Sequence, residues 1–204
     1  MEPSKKNSRE YAYRQDLSLA EAAGRGDRRA AHSLAERLFS RVRATVLYMA
    51  PGHRDADDMI QRALIEVLHA AGGYRGECSL ERWADRIVSR TVMRIIKQRR
   101  RRDFLVSPGA EPDDGWVTGT QEAVVFKAKT RKRLAVLLEK LSEKRRVVVV
   151  LHWVHGYTVA EIAEMLEKPV NTVRDRLIKG KKILKKRVLN DPVLCEWLET
   201  VDHG

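Results

Sequence analysis

The side chains of this chain that could do chemistry are mostly cations, and they are densest towards its C-terminal end. Arg174, Arg176, Lys179, Lys181, Lys182, Lys185 and Lys186 fall within one helical stretch. Cations at that density pair with phosphates, and a guanidinium can also fork onto the edge of a guanine. Acids gather elsewhere, in Asp55-Ala56-Asp57-Asp58. There Asp55 is a good N-cap, and Asp57 and Asp58 suit the positive end of a helix, so capping accounts for all three without a function. His152 and His155 have a spacing that could serve a metal, but no third ligand follows nearby and capping or exposed histidines are commoner. No metal and no cofactor is expected. There is no acid cluster of catalytic type, no serine or tyrosine nucleophile in a plausible setting and no glycine-rich phosphate loop, so no catalytic residue is assigned and the chain is not read as an enzyme.

Positioning the cations requires a helical frame. Thr158 and Glu161 form a capping box that starts a helix whose apolar positions, Val159, Ile162, Ala163 and Leu166, share one face. Pro169 stops it, and Asn171 is the expected N-cap of the next helix. In that second helix Val173, Leu177 and Leu184 face the first and leave the basic side chains on other faces. A helix-turn-helix entering a DNA major groove and a helical hairpin with a solvated basic face both fit this pattern.

Composition narrows the class. Forty Lys plus Arg against twenty-eight Asp plus Glu give 204 residues a formal net charge of +12 and a pI near 10.0, which suits nucleic acid first and an anionic membrane surface second. No apolar run approaches a bilayer span and MEPSKKNSRE lacks the apolar core of a signal peptide, so a cytoplasmic protein without membrane insertion is expected. Cys78 and Cys195 are too far apart in sequence to suggest a disulfide framework or a thiolate metal site. Long 3.6-period patterns with 6% aromatics predict an all-α protein.

Residues Arg146, Gly156, Glu161-Ile162-Ala163, Leu166 and Pro169 to Leu177 together resemble region four of the sigma-seventy superfamily, in particular the extracytoplasmic-function sigma factors. Asn171, Asp175, Glu167 and Gly180 depart from the residues usual there, which are Gly, Ser, Gly and Ala. The run Asp55 to Gln61 is similar to the Asp-Ala-Glu-Asp-Leu-Val-Gln signature of region two, and Trp83 with Arg86-Ile87 to another part of it. The resemblance implies that Asp55, Asp57, Asp58 and Gln61 dock on the beta-prime clamp helices of core RNA polymerase. Asp58 and Gln61, three apart on a helix, could there meet partner arginines.

By the same resemblance Gly73 to Ser79 is the loop that captures an unpaired minus-ten base. Tyr74 offers a stacking face and Arg75 a phosphate contact, although Tyr74 packed into the core is as good a reading. Arg90 stands where the family commonly has the Asn that lines the base pocket, and Trp83 reads as core. Arg99 and Arg100 belong to a run of four arginines that exceeds what a helix dipole needs and complete the implied minus-ten set. Thr172, Arg174, Asp175, Arg176, Ile178 and Lys179 form the implied minus-thirty-five set, with Asp175 able to accept from a cytosine amino group.

These readings divide the chain into a mobile N-terminal tail (1–17), region two (18–102, opened by a Ser18–Glu21 capping box), a flexible linker (103–130) with Trp116 as an anchor, region four (131–190) and a C-terminal tail (191–204) with Leu194, Trp197 and Leu198 on one face. The expected activity is promoter recognition and transcription initiation with core polymerase, through its beta-prime clamp helices and beta flap, on promoter DNA, an anti-sigma factor being a further partner. A helix-turn-helix repressor or activator working without polymerase is the alternative.

Overall fold

A computed structural model describes residues 5–106 and 134–188, with side chains for 15–99, 101 and 134–188. The expectations for Trp116 and the linker from residue 107 on, for Leu194, Trp197 and Leu198, and for the Arg100 side chain lie outside the described residues, whereas 103–106, expected in the linker, continue a helix. Among those residues every regular element is a helix, as the periodicity predicts. The chain divides into two compact units, Met1–Val46 with Asp55–Asp113 and Leu47–Arg54 with Asp114–Gly204.

In the first unit α1 (Lys5–Gly24) runs through Ser18, so the Ser18–Glu21 capping box is not a helix start and the helix reaches well into the expected tail. Packing overrides the local signal here: Asp16 and Ala20 are buried, and a helix is stabilised chiefly by the face it buries. Asp27 caps α2 (Arg28–Met49), its Oδ1 accepting from the Arg29 and Ala30 amides at 2.8 and 3.1 Å. Leu34, Leu38, Val42 and Val46, four apart, line the buried face of α2.

Helix α3 (Ala56–Ala70) buries Met59, Ile60, Ala63 and Val67. The Asp55 carbonyl accepts from the Met59 amide at 2.9 Å, but its carboxylate makes no cap bond and pairs instead with Arg99, so the expected side-chain cap is not formed. Helix α4 (Leu80–Val106) turns inward the ridge Leu80, Ala84, Val88, Val92 and Ile96. Trp83, read as core, is half-buried together with Ile87 and Ile95, because that i, i+4 ridge leaves them on its flank.

Two buried carboxylates tie this unit together. Arg37 of α2 forks onto Asp16 of α1 and also donates to Glu81 of α4 at 3.1 Å. Arg41 of α2 donates from Nε and Nη2 to the two oxygens of Asp85 of α4 at 2.9 and 2.6 Å, with Asp85 only 1% exposed. Burial works against the Arg37 charge, but the hydrogen bonds to Asp16 and Glu81 outweigh it and raise its pKa.

The second unit contains a short helix over residues 134–139 (α5) and α6 (Glu143–Val149). Ser142 precedes α6 and its carbonyl accepts from Arg145 and Arg146 at 2.9 Å, but its hydroxyl forms no cap bond. Helix α6 then passes into a π-turn, Val150–Val154, with His155 N–H reaching back to the Val150 carbonyl at 3.2 Å. The whole run Val147 to Leu151 is buried, and Gly156 follows with φ +73°, the C′ conformation its position predicts.

Helix α7 (Val159–Leu166) starts with the complete Thr158–Glu161 capping box, at 3.2 and 2.8 Å for its two bonds, and buries Ile162, Ala163 and Met165. It ends at Glu167, held at φ +53° where a glycine would be unstrained. Helix α8 (Val170–Val188) packs on both α6 and α7. The Pro169 carbonyl accepts its first bonds, from Thr172 and Val173, so Asn171 sits inside the first turn and is not the N-cap. Gly180 brings α8 close to α6, since a Cβ there would lie 2.7 Å from Val149 Cγ2.

Candidate nucleic-acid and polymerase interfaces

The exposed face of α3 carries Asp57, Asp58, Gln61 and Arg62. Asp58 accepts from Arg62 Nε at 2.9 Å along the helix, an exposed pair that a partner arginine can replace at little cost. Ile65 extends the same face and is 50% exposed. Sequence reasoning passed over this residue, although an isoleucine seven positions after Asp58 and outside the Met59, Ile60, Ala63, Val67 set was the available signal. An apolar side chain ringed by charges is what a docking face uses at its centre.

The loop between α3 and α4 corrects one assignment. Tyr74 is 3% exposed, its hydroxyl donates to the Cys78 carbonyl at 2.7 Å, and its ring lies against Trp83 with centroids 5.5 Å apart. It is a core residue, the second of the two readings its type allowed, and offers no stacking face. Arg75 beside it is exposed. Burial pushes the Cys78 thiol up despite Arg86 and Arg82 nearby, which leaves it poorly nucleophilic.

Further along α4 Arg90 is exposed, whereas Arg99 is half-buried and ion-paired with Asp55. A residue read as a polymerase contact and one read as a DNA contact therefore meet in one pair. No local pattern announces that meeting, because it depends on where α3 and α4 lie in space.

Helix α8 places its predicted set on a common outer side. Arg174, Asp175, Ile178 and Lys179 are exposed, while Thr172 and Arg176 are half-buried at its margins. Arg174 donates to Asn171 Oδ1 at 3.1 Å, and Asp175 accepts from Lys179 at 3.0 Å. Asp175 thus offsets part of the positive charge beside it. Ile178 is 61% exposed amid these polar groups, an apolar contact of the kind that suits a thymine methyl. Lys181, Lys182, Lys185 and Lys186 continue the basic side to the helix end.

Arg146 of the region-four pattern and the His152–His155 pair have structural contacts. The Arg146 guanidinium donates to the carbonyls of Leu138, Glu139 and Leu141 at 2.8, 3.1 and 2.9 Å and so completes the C-terminal end of α5. His152 Nδ1 donates to the Tyr157 carbonyl at 2.7 Å, fixing the turn after α6, and His155 packs near the Tyr157 ring.

Comparison with known proteins matches both units. Residues 34–102 match the family described as Sigma-70 region 2, and residues 131–184 that described as Sigma-70, region 4. The RNA polymerase sigma-H factor of Pseudomonas aeruginosa is 24% identical over 198 residues, covering 89% of this chain and 97% of its own. The ECF RNA polymerase sigma-E factor of Escherichia coli K12 is 25% identical over 180 residues, 85% of this chain and 94% of its own. Among solved structures, the sigma factor RpoE in complex with the anti-sigma factor NepR from Bartonella quintana is similar in fold, with a TM-score of 0.60 at 18% identity over 77% of this chain and 95% of that one. So is CnrH in complex with the cytosolic domain of CnrY, with a TM-score of 0.57 at 21% identity over 86% and 98%.

Proposed function

The chain belongs to the sigma-70 family and is an RNA polymerase sigma factor of the extracytoplasmic-function type, and from that premise we propose how its contacts are divided. Sigma factors bind core polymerase and promoter DNA and perform no catalysis of their own. The observation that carries the assignment is the presence of regions two and four, in order, on one all-helical chain. A repressor working alone would have no use for the first of them.

Region two docks on the beta-prime clamp helices through Asp57, Asp58 and Gln61, with Ile65 as the apolar centre of that face. Arg75, Arg90, Arg99 and Arg100 contact the minus-ten region. Region four reads the minus-thirty-five element through Arg174, Ile178 and Lys179, with Asp175 tempering the local charge and Thr172 and Arg176 at the margins, and it meets the beta flap. An anti-sigma partner is supported by the two solved relatives, each in complex with another protein, one of them described as an anti-sigma factor. Residues 18–102 with the earlier turns of α1, then 103–130, 131–190 and 191–204, are the working divisions of the chain. The site of action is cytoplasmic; among the described residues no helix is long and apolar enough to cross a membrane.

Run-off transcription with core polymerase on genomic fragments tests the whole reading, and start sites that appear only when the chain is added support it. Asp58→Lys tests the docking face. The variant loses co-purification with core polymerase while keeping its helical circular dichroism spectrum; undiminished retention refutes the assignment of α3.

A further inference from the structure

Near the start of α8 two exposed side chains are bonded to one another, Arg174 Nη1 donating to Asn171 Oδ1 at 3.1 Å. We propose that Asn171 is a positioning residue for Arg174: it holds the guanidinium so that its remaining N–H groups fork onto one guanine, and it thereby sets the base preference at one position of the minus-thirty-five element. The inference rests on the assignment of Arg174 to that element made above.

Three observations carry it. First, the partner atoms are unambiguous, because a guanidinium only donates and the Asn171 atom that faces it is therefore the amide oxygen. Second, the pair lies in the opening turns of α8 (Val170–Val188), and the N-terminal end of a recognition helix is the end that reaches base edges. Helical side chains lean towards the N-terminus, so Arg174 reaches back over the turn that carries Asn171 and the two meet at i and i+3 on the exposed side. Third, Asn171 is not the cap of α8, since the Pro169 carbonyl accepts the first bonds of the helix, from Thr172 and Val173. It also stands where glycine is usual in the region-four pattern, and a glycine has no acceptor to offer, so the arrangement belongs to this chain.

The chemistry has a direction and a bounded size. A guanidinium carries five N–H donors, and giving one to Asn171 leaves a parallel pair for guanine O6 and N7. Because the group is planar, one fixed bond orients the whole fork before DNA arrives, and less rotamer freedom is lost on binding. Lys179, engaged with Asp175 Oδ1 at 3.0 Å one turn on, gains no such direction, since an ammonium is a point charge whose donors rotate. The same bond occupies the Asn171 oxygen that a direct reading of adenine would use for the N6 amino group, so Asn171 acts through Arg174. Ordering one such side chain is worth about two- to ten-fold in affinity.

The test is competitive binding of the full-length chain, assembled with core polymerase, to duplexes randomised across the minus-thirty-five element. Arg174→Ala marks the position where a guanine preference is lost. Asn171→Ala, which folds because alanine is the better helix former, is expected to lower the guanine preference at that same position about two- to ten-fold. It is expected to leave the other positions and the log K against log salt slope as they are, and to add nothing in the Arg174→Ala background. Asn171→Asp keeps an acceptor oxygen and is expected to retain the preference while weakening all sequences alike through its added charge. A preference lost at a different position makes Asn171 itself a base reader, and an equal loss for every sequence makes it a helix or phosphate contact; either overturns the proposal, as does an Asn171→Asp variant that behaves like Asn171→Ala. If Arg174→Ala changes no base preference, the groove assignment of Arg174 fails and the proposal with it. If Arg174→Ala abolishes the guanine preference but Asn171→Ala is silent, the positioning role alone is refuted.

Discussion

Regions two and four are both helical, yet they are held together by different means. Region two adds buried charge to its apolar ridges: Asp16, Arg37 and Glu81 join α1, α2 and α4, and Arg41 with Asp85 joins α2 and α4 again. Region four uses aliphatic packing, with Leu138, Leu141, Val147 to Leu151, Ile162, Met165, Val173 and Leu184 all buried, and satisfies its loose helix ends with Arg146 and the Thr158–Glu161 box. The long helices of region two could slide along one another by a turn, and a directional ion pair penalises such a slip more sharply than methyl contacts do. In region four α7 is set by its capping box and Gly180 lets α8 approach α6 closely, so shape suffices. The lesson is that region two is vulnerable to lost charge partners and region four to changed volume.

The largest effect follows from removing one half of a buried pair. Asp85→Ala leaves Arg41 without its bidentate acceptor and is expected to cost about 3 kcal/mol, the low end for such pairs because Arg41 keeps some solvent contact. Denaturation followed in a fragment-resolved way, by hydrogen exchange, should show α2 and α4 losing protection while α6 to α8 keep theirs. Equal loss in both regions breaks the comparison.

Gly180→Ala probes the other side. Its Cβ would meet Val149 Cγ2, a branched side chain in a filled core, so overpacking should cost about 1 to 3 kcal/mol. Chemical denaturation in a double-mutant cycle with Val149→Ala tests this: Gly180→Ala should cost less in the Val149→Ala background than in the unaltered chain, because the offending methyl is gone. An equal cost in both backgrounds would mean that contact with Val149 does not govern the site.

Glu167→Gly should act in the opposite sense. The residue sits at φ +53° at the end of α7, a conformation that strains an L side chain, so glycine there should stabilise region four by about 1 kcal/mol. The readout is a raised thermal midpoint with α7 and α8 better protected. A lowered midpoint would show that the Glu167 side chain contributes more than its backbone costs.

The smallest effect is a pH dependence confined to region two. Burial works to raise the Glu81 pKa, but hydrogen bonds from its own backbone amide, from Arg37 and from Ser79 outweigh it, and the carboxyl lies below its ordinary value. A depressed carboxyl contributes stability above its unfolded pKa and loses it as pH falls through the folded one. Glu81→Gln should therefore flatten the acid side of the stability profile below the ordinary glutamate range, and leave it unchanged near neutrality apart from a constant offset. An unaltered acid limb would show that the Arg37–Glu81 contact carries no net stability.

Much of this protein was determined by sequence alone, and the reason is locality. The Thr158–Glu161 box, the Gly156 stop, the break at Pro169 and the 3.6-residue apolar faces each depend on groups within a turn or two of one another, so spacing suffices to find them. The exposed basic side of α8 follows equally, since Val173 and Leu184 fix which side faces in. Other features were decided only by tertiary structure. Ser18 fails as a helix start because Asp16 finds Arg37 twenty-one residues away, and Asp85 finds Arg41 at a separation of forty-four. Asp55 gives up its cap for Arg99, and Tyr74 is claimed by Trp83 and the core before it can serve a base. A charge or a ring chooses its partner by proximity in space, and proximity between distant segments is created by helix packing, which no window of sequence contains.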